Sequence, residues 1–168
     1  MPPFARAGGY TLVELLIVLV VIGIMLGLVS LSLRDDRDAR LARDADRLET
    51  LFALAAEEAQ LTSRPIAWRG DERGYAFYQR DRDRWLPLAD DAQFRERTWD
   101  LAPMRLVLVA ADVPRWSSNG LPDADGATAI AFPRDGTQVA FTLTLEADGR
   151  SLQLKADGAG RYWVERPS

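Results

Sequence analysis

The chain divides by pattern into an apolar half-helix, an amphipathic half-helix and a run of alternating segments. From Leu15 to Leu33 no charged residue occurs. A helix needs roughly 20 apolar residues to cross a bilayer, so this stretch is long enough to span one. It contains no proline. Its weak points for helix propensity are Gly23, Gly27, Ser30 and Ser32. At Arg34 the character changes abruptly to Arg34-Asp35-Asp36-Arg37-Asp38. The helical period nevertheless continues. Leu41, Ala45, Leu48, Phe52, Ala55 and Ala59 recur at helical spacings and share one face. Arg40, Arg43, Asp46, Arg47 and Glu49 fall largely elsewhere. The pattern predicts one long helix from about Tyr10 to about Thr62, with a stripe of its second half covering a soluble core. Ser63-Arg64-Pro65 ends it, because the residue before a proline disfavours the helical region.

Beyond Pro65 the period is that of strands. Pro65–Trp68 and Tyr75–Gln79 flank a polar turn, Gly70-Asp71-Glu72-Arg73-Gly74. Short strands are expected at Trp85–Leu88, Thr98–Leu101 and Met104–Val109. Val139, Phe141, Leu143 and Leu145 alternate with Ala140, Thr142 and Thr144, as in a half-buried strand. Asp148-Gly149 is a hairpin turn signal, and Leu152 and Leu154 continue the alternation on the return. Further turns at Asp135-Gly136 and Asp157-Gly158 bracket this region, and the last strand is expected over Arg161–Glu165. Ala111–Ala127 reads as loop, being rich in Pro, Ser, Asn and Gly.

Composition narrows the chemistry. The 168 residues contain neither Cys nor His. Disulfides, thiol nucleophiles, thiolate metal sites and the commonest general base are therefore absent. The net charge of −4 argues against a nucleic-acid partner, which calls for a basic footprint. Lys155 is the sole lysine and lies on an expected strand. We expect no enzyme and no catalytic, cofactor-binding or metal-binding residues. Asp123-Ala124-Asp125-Gly126 has part of a calcium loop but lacks the remaining oxygen ligands and the distal Glu, so it reads as a turn. Asp90-Asp91 does likewise. Tryptophans generally belong to the core, and Trp116 stands apart: in a polar loop, an exposed ring is placed to anchor a partner.

The residues that point to function lie at the start. Gly8-Gly9-Tyr10-Thr11-Leu12-Val13-Glu14 leads into the apolar run. A carboxylate beside hydrocarbon is costly and reads as functional. This block resembles the prepilin signature of type IV pilins and of the pseudopilins of type II secretion. The resemblance implies cleavage after Gly9 by a membrane prepilin peptidase, and N-methylation of the new terminus. Tyr10 stands where the family usually has Phe. It also implies that Glu14, the fifth residue of the cleaved chain, acts in filament assembly. Gly23 and Gly27 form a G-x-x-x-G that permits close helix approach in a membrane. A cleavable secretory signal fits less well, because the apolar run exceeds the usual 7–15 residues and no A-x-A site follows it, and an ordinary signal anchor fits less well because glycine, aromatic residue, Thr-Leu, Glu and apolar run all coincide.

Further along, Arg64-Pro65-Ile66-Ala67-Trp68, Gly74-Tyr75-Ala76-Phe77 and Phe132-Pro133-Arg134-Asp135-Gly136 follow the amphipathic stretch in order, with a terminal meander over Gly158–Val164. This order resembles the GspH/FimT family, the protein H group of minor pseudopilins and its FimT relatives among pilus proteins. The expected fold is α+β and pilin-like, a long N-terminal helix packed on a C-terminal antiparallel β-sandwich. The expected segments are a leader over 1–9, a transmembrane helix over 10–33, an amphipathic helix over 34–62 and a β-rich periplasmic domain over 63–168.

The implied function is a structural subunit of the periplasmic pseudopilus that helps export folded proteins across the outer membrane. The alternative is a minor pilin of a type IV pilus with a role in DNA uptake. The implied partners are other minor and major pseudopilins, the inner-membrane secretion platform and the prepilin peptidase and methyltransferase. The implied location is the inner membrane, single-pass, with the N-terminus cytoplasmic. A count of basic residues argues the other way round: Arg34, Arg37, Arg40, Arg43 and Arg47 follow the apolar run and only Arg6 precedes it.

Overall fold

The computed structural model describes residues 12–110 and 127–166, with backbone only for 26–35. Helix α1 runs over Leu12–Leu61. Among the described residues nine strands follow: β1 Ile66–Gly70, β2 Gly74–Asp81, β3 Arg84–Pro87, β4 Arg97–Thr98, β5 Arg105–Ala110, β6 Thr128–Phe132, β7 Phe141–Ala147, β8 Arg150–Ala156 and β9 Tyr162–Glu165. They form two antiparallel sheets. The first has the order β3-β2-β1-β6, with β4 also paired to β2, and the second has the order β5-β7-β8-β9. The chain separates into two compact units, 1–37 and 38–168. Among the described residues no helix is long and apolar enough to cross a membrane.

In the larger unit the stripe read from the periodicity is the core face of α1. Leu41, Ala45, Leu48, Phe52, Ala55 and Ala59 are all buried. They meet inward residues of both sheets, chiefly Ile66, Trp68, Phe77 and Phe132 of the first and Phe141, Leu143, Leu145 and Leu154 of the second. Phe52 is the common neighbour. Its ring lies 5.3 Å from Trp68 and from Phe132, 6.5 Å from Phe77, and 6.1 Å from both Phe141 and Tyr162. Most of these pairs are edge-to-face, the arrangement that the ring quadrupoles favour. Buried alanines one turn after Phe52, at Ala55, and two turns either side, at Ala45 and Ala59, let the helix come close enough to the sheets for one ring to reach both.

Alternation on β7 is complete: Phe141, Leu143, Leu145 and Ala147 are buried and the residues between them are not. The hairpin turn between β7 and β8 places both Asp148 and Gly149 at positive φ, 52° and 74°, the backbone that two-residue hairpins with right-handed strand twist require. Gly70 has a different reason. A Cβ there would lie 2.5 Å from the Trp68 ring and 2.8 Å from a Leu106 methyl, so glycine lets β1 pass beneath β5.

Four details depart from the sequence reading. The strand expected over Thr98–Leu101 is only Arg97–Thr98. Trp99 turns inward and its indole N–H donates to the Asp71 carbonyl at 2.8 Å, which takes the chain off the ladder. Strand β6 was not anticipated. Its inward residues are Ile130 and Phe132, separated by half-buried alanines that blur the alternation. Val139 and Ala140 precede β7 without joining it. Trp68, Trp85 and Trp99 are buried, whereas Trp163 is 39% exposed on the outer side of β9.

Replacing Phe52 by Ala removes the ring that both sheets share, and should cost roughly 3–5 kcal/mol, the range of large core deletions. Urea unfolding of the two proteins measures it. A loss below about 1 kcal/mol would mean that the sheets hold each other without the helix.

Candidate functional site

Two places on α1 carry chemistry that packing alone does not explain. The first is its beginning. Every large apolar residue from Leu12 through Met25 is exposed, from 45% at Val21 to 80% at Leu12. They occupy all sides of the helix, so no rotation could bury them against a single neighbour. Glu14 lies in the first turn, where a carboxylate faces the positive end of the helix dipole. A Cβ added at Gly23 would meet nothing within 4 Å, which leaves that side open to another helix. Gly9 and Tyr10 lie outside the described residues, as do Trp116, Asp123 and Asp125, and the side chain environment of position 27 is not described.

The second place is Asp44, fully buried on the core face. One carboxylate oxygen accepts the backbone N–H of Asp100 at 2.9 Å. The other has no hydrogen-bond partner, and Arg47 comes only to 3.9 Å of it. Arg43 reaches the Asp100 carboxylate at 3.4 Å, so two consecutive residues of α1 hold the segment after β4. Burial, more than any other cause, pushes the Asp44 carboxyl up to about 6; the Asp100 N–H and Arg47 pull it down, and the Asp100 charge adds to the rise. The signal was in the sequence. Position 44 lies three residues after Leu41 and four before Leu48, on the buried stripe. Burial also raises the Tyr75 hydroxyl, which has no hydrogen-bond partner. A single buried acid with its base too distant for a hydrogen bond is a latch and not an acid–base pair.

A third group of contacts closes a sheet edge. Glu49 accepts the backbone N–H of Val164 at 3.2 Å, and Asp46 takes Arg166 through both oxygens at 2.9 Å. These contacts bind the outer edge of β9 to α1.

Residues 44–160 match the family model of the type II transport protein GspH, and residues 4–30 match the prokaryotic N-terminal methylation motif. The chain belongs to the GspH family. It is a minor pseudopilin of the type II secretion system and not an enzyme. The pseudopilin is 30% identical to type II secretion system protein H of Pseudomonas aeruginosa over 160 residues, covering 89% of this chain and 91% of that one. Its fold is that of the minor pseudopilin EpsH from the type II secretion system of Vibrio cholerae. One crystal structure of EpsH has a TM-score of 0.59 at 18% identity, covering 77% of this chain and 96% of that one. Another has 0.56 at 19%, with 75% and 96% covered. Glu14 of the pseudopilin falls inside the matched methylation motif and Asp44 at the first residue of the matched family region.

The raised carboxyl of Asp44 sets a sign for pH. The folded state holds the proton more tightly than the unfolded chain, so the contribution of Asp44 to stability is fully present below about pH 4 and is lost as pH rises through about 6. Asp44→Asn keeps an acceptor for Asp100 and cannot ionise. Relative to the parent it should gain on the order of 2 kcal/mol between pH 4.5 and 7.5. Denaturant unfolding at both pH values reads this, and parallel pH slopes in the two proteins would refute it.

Proposed function

We propose that this pseudopilin is a single-pass inner-membrane subunit with its leader on the cytoplasmic side and its β-rich part in the periplasm. It is cut after Gly9, methylated on Tyr10 and then drawn into a pseudopilus. The observation that carries this reading is the start of α1, apolar on every side and exposed, with an acid at its mouth. The described side chains cover roughly 21 Å of helix at 1.5 Å per residue, and the uncharged run continues to Leu33. With that continuation the helix spans the hydrocarbon core of roughly 30 Å. The segments assigned are leader 1–9, transmembrane helix 10–33, amphipathic helix 34–62 and periplasmic domain 63–168.

Glu14 then has a partner. Staggered parallel helices bring the new amine at Tyr10 of one subunit near the carboxylate of the next. At 4 Å and an effective dielectric of about 20, such a pair attracts by about 4 kcal/mol. Desolvation cancels much of that gain. Its value lies in register, since a slipped subunit would leave both charges without a partner. Gly23 and Gly27 would let helices approach during packing. The binding partners are other minor and major pseudopilins and the inner-membrane platform that assembles them, after the prepilin peptidase and methyltransferase have acted. Trp116, in the segment after β5 that lies outside the described residues, is a candidate contact with a neighbouring subunit.

Mass spectrometry of protein extracted from membranes should find Tyr10 as the first residue, with one added methyl group. A chain that still begins at Met1 or Gly9 would rule the processing out. Glu14→Leu should insert normally and be recovered in the membrane fraction, yet fail to support secretion. Secretion at the parental level in that variant would remove the assigned role.

A further inference from the structure

At the C-terminal end of α1 the chain leaves a cleft of about 570 Å³ between the helix end, the β2–β3 hairpin and the turn after β6. Its wall carries Arg64, Arg80, Arg82 and Arg134 against Asp81 and Asp135. On a protein of net charge −4 this is a local excess of positive charge. The two acids are already occupied. Asp135 accepts both the backbone N–H and the hydroxyl of Thr137, and Asp81 sits 3.9 Å from Arg64. Arg80 is fixed in place, its guanidinium 5.5 Å over the Trp85 ring and its Nε donating to the Arg82 carbonyl. The guanidinium groups of Arg82 and Arg134, both exposed, make no hydrogen bond or ion pair with a described residue. Leu61, the last residue of α1, is 73% exposed and lies two residues before the wall residue Ser63.

We infer that this cleft is a docking site for an acidic segment of a partner protein that also carries an apolar side chain. Forked guanidinium groups match carboxylates two bonds at a time, and Arg80 is already oriented. An exposed leucine next to such a site supplies the apolar anchor that protein contacts use. A nucleic acid has no use for Leu61. It would also meet Asp81 and Asp135 in the wall and an acidic protein around it, although phosphate contacts dominate its affinity. The site does not depend on the membrane reading, because it lies wholly in the unit formed by residues 38–168.

The test uses the full-length protein in a non-ionic detergent and a fluorescently labelled peptide of Glu and Gly with one Leu. Anisotropy should show saturable binding that weakens as salt is added. Arg82→Glu combined with Arg134→Glu should weaken it by about tenfold or more, since like charges then face each other. Both positions are exposed, and an unchanged circular dichroism melt shows that the variant folds. Leu61→Ser, or the peptide without its Leu, should weaken binding by about threefold, the lower end of what a lost apolar contact costs. Absence of saturable binding, or equal affinity in the doubly reversed variant, overturns the proposal. Displacement of the peptide by inorganic phosphate or by duplex DNA at matched salt overturns it as well, and would assign the cleft to small anions or to nucleic acid.

Discussion

One aromatic ring ties this molecule together. Phe52 projects from the middle of the buried stripe of α1 and touches Trp68, Phe77 and Phe132 from one sheet and Phe141 and Tyr162 from the other. The two sheets are built separately, each by its own antiparallel ladders. They touch each other where Phe132 meets Tyr162, and both pack on the helix. This makes the second half of α1 the organiser of the domain, and it constrains everything attached to it. The second half of the helix cannot turn about its own axis without withdrawing the ring, so its rotational setting against both sheets is fixed by packing. Asp44 and Arg43 fasten the segment after β4 to the same helix, and Asp46 and Glu49 fasten the last strand and the chain end beyond it.

Burying Asp44 is not a requirement of packing. An apolar residue there would avoid the desolvation that raises its carboxyl. What the acid adds is direction: one oxygen receives the Asp100 N–H, which has left the β4 ladder and needs an acceptor. The segment between β4 and β5 is thereby held at one place on the helix and not merely pressed against it. A polar contact of this kind specifies a single arrangement at a cost in stability, a trade that is well attested for registry.

Much of this was legible in the residues. Helical spacing of Leu41, Ala45, Leu48, Phe52, Ala55 and Ala59 identified the core face because a helix repeats its faces faithfully over many turns. The meander from Phe141 to Ala156 was legible for the same reason at period two, with Asp148-Gly149 marking the turn. Where pattern failed, a tertiary contact outweighed it. Trp99 left its strand to give its N–H to Asp71, and β6 hid its alternation behind alanines. Asp44 falls on the same stripe by spacing, yet a carboxylate gives no signal of burial until the fold brings the Asp100 N–H to it. The leader motif was legible as chemistry of spacing, since a glycine, an aromatic residue and an acid must coincide with an apolar run. The basic cleft was not, because Arg64, Arg80, Arg82 and Arg134 come from distant parts of the chain and only the fold brings them together.

The carboxylate of Glu49 on the Val164 N–H has a meaning beyond local fastening. A strand at the margin of a sheet is an invitation to any other strand, and a second molecule can answer it by adding its own. A pseudopilin is a subunit meant to join others of its kind. An uncovered margin is a second way to join, unrelated to any helix contact. At β9 the helix fills the vacancy with its own side chain. The helix that organises the core thus also guards the margin of β9, so a change at Glu49 bears on association as well as on the fold.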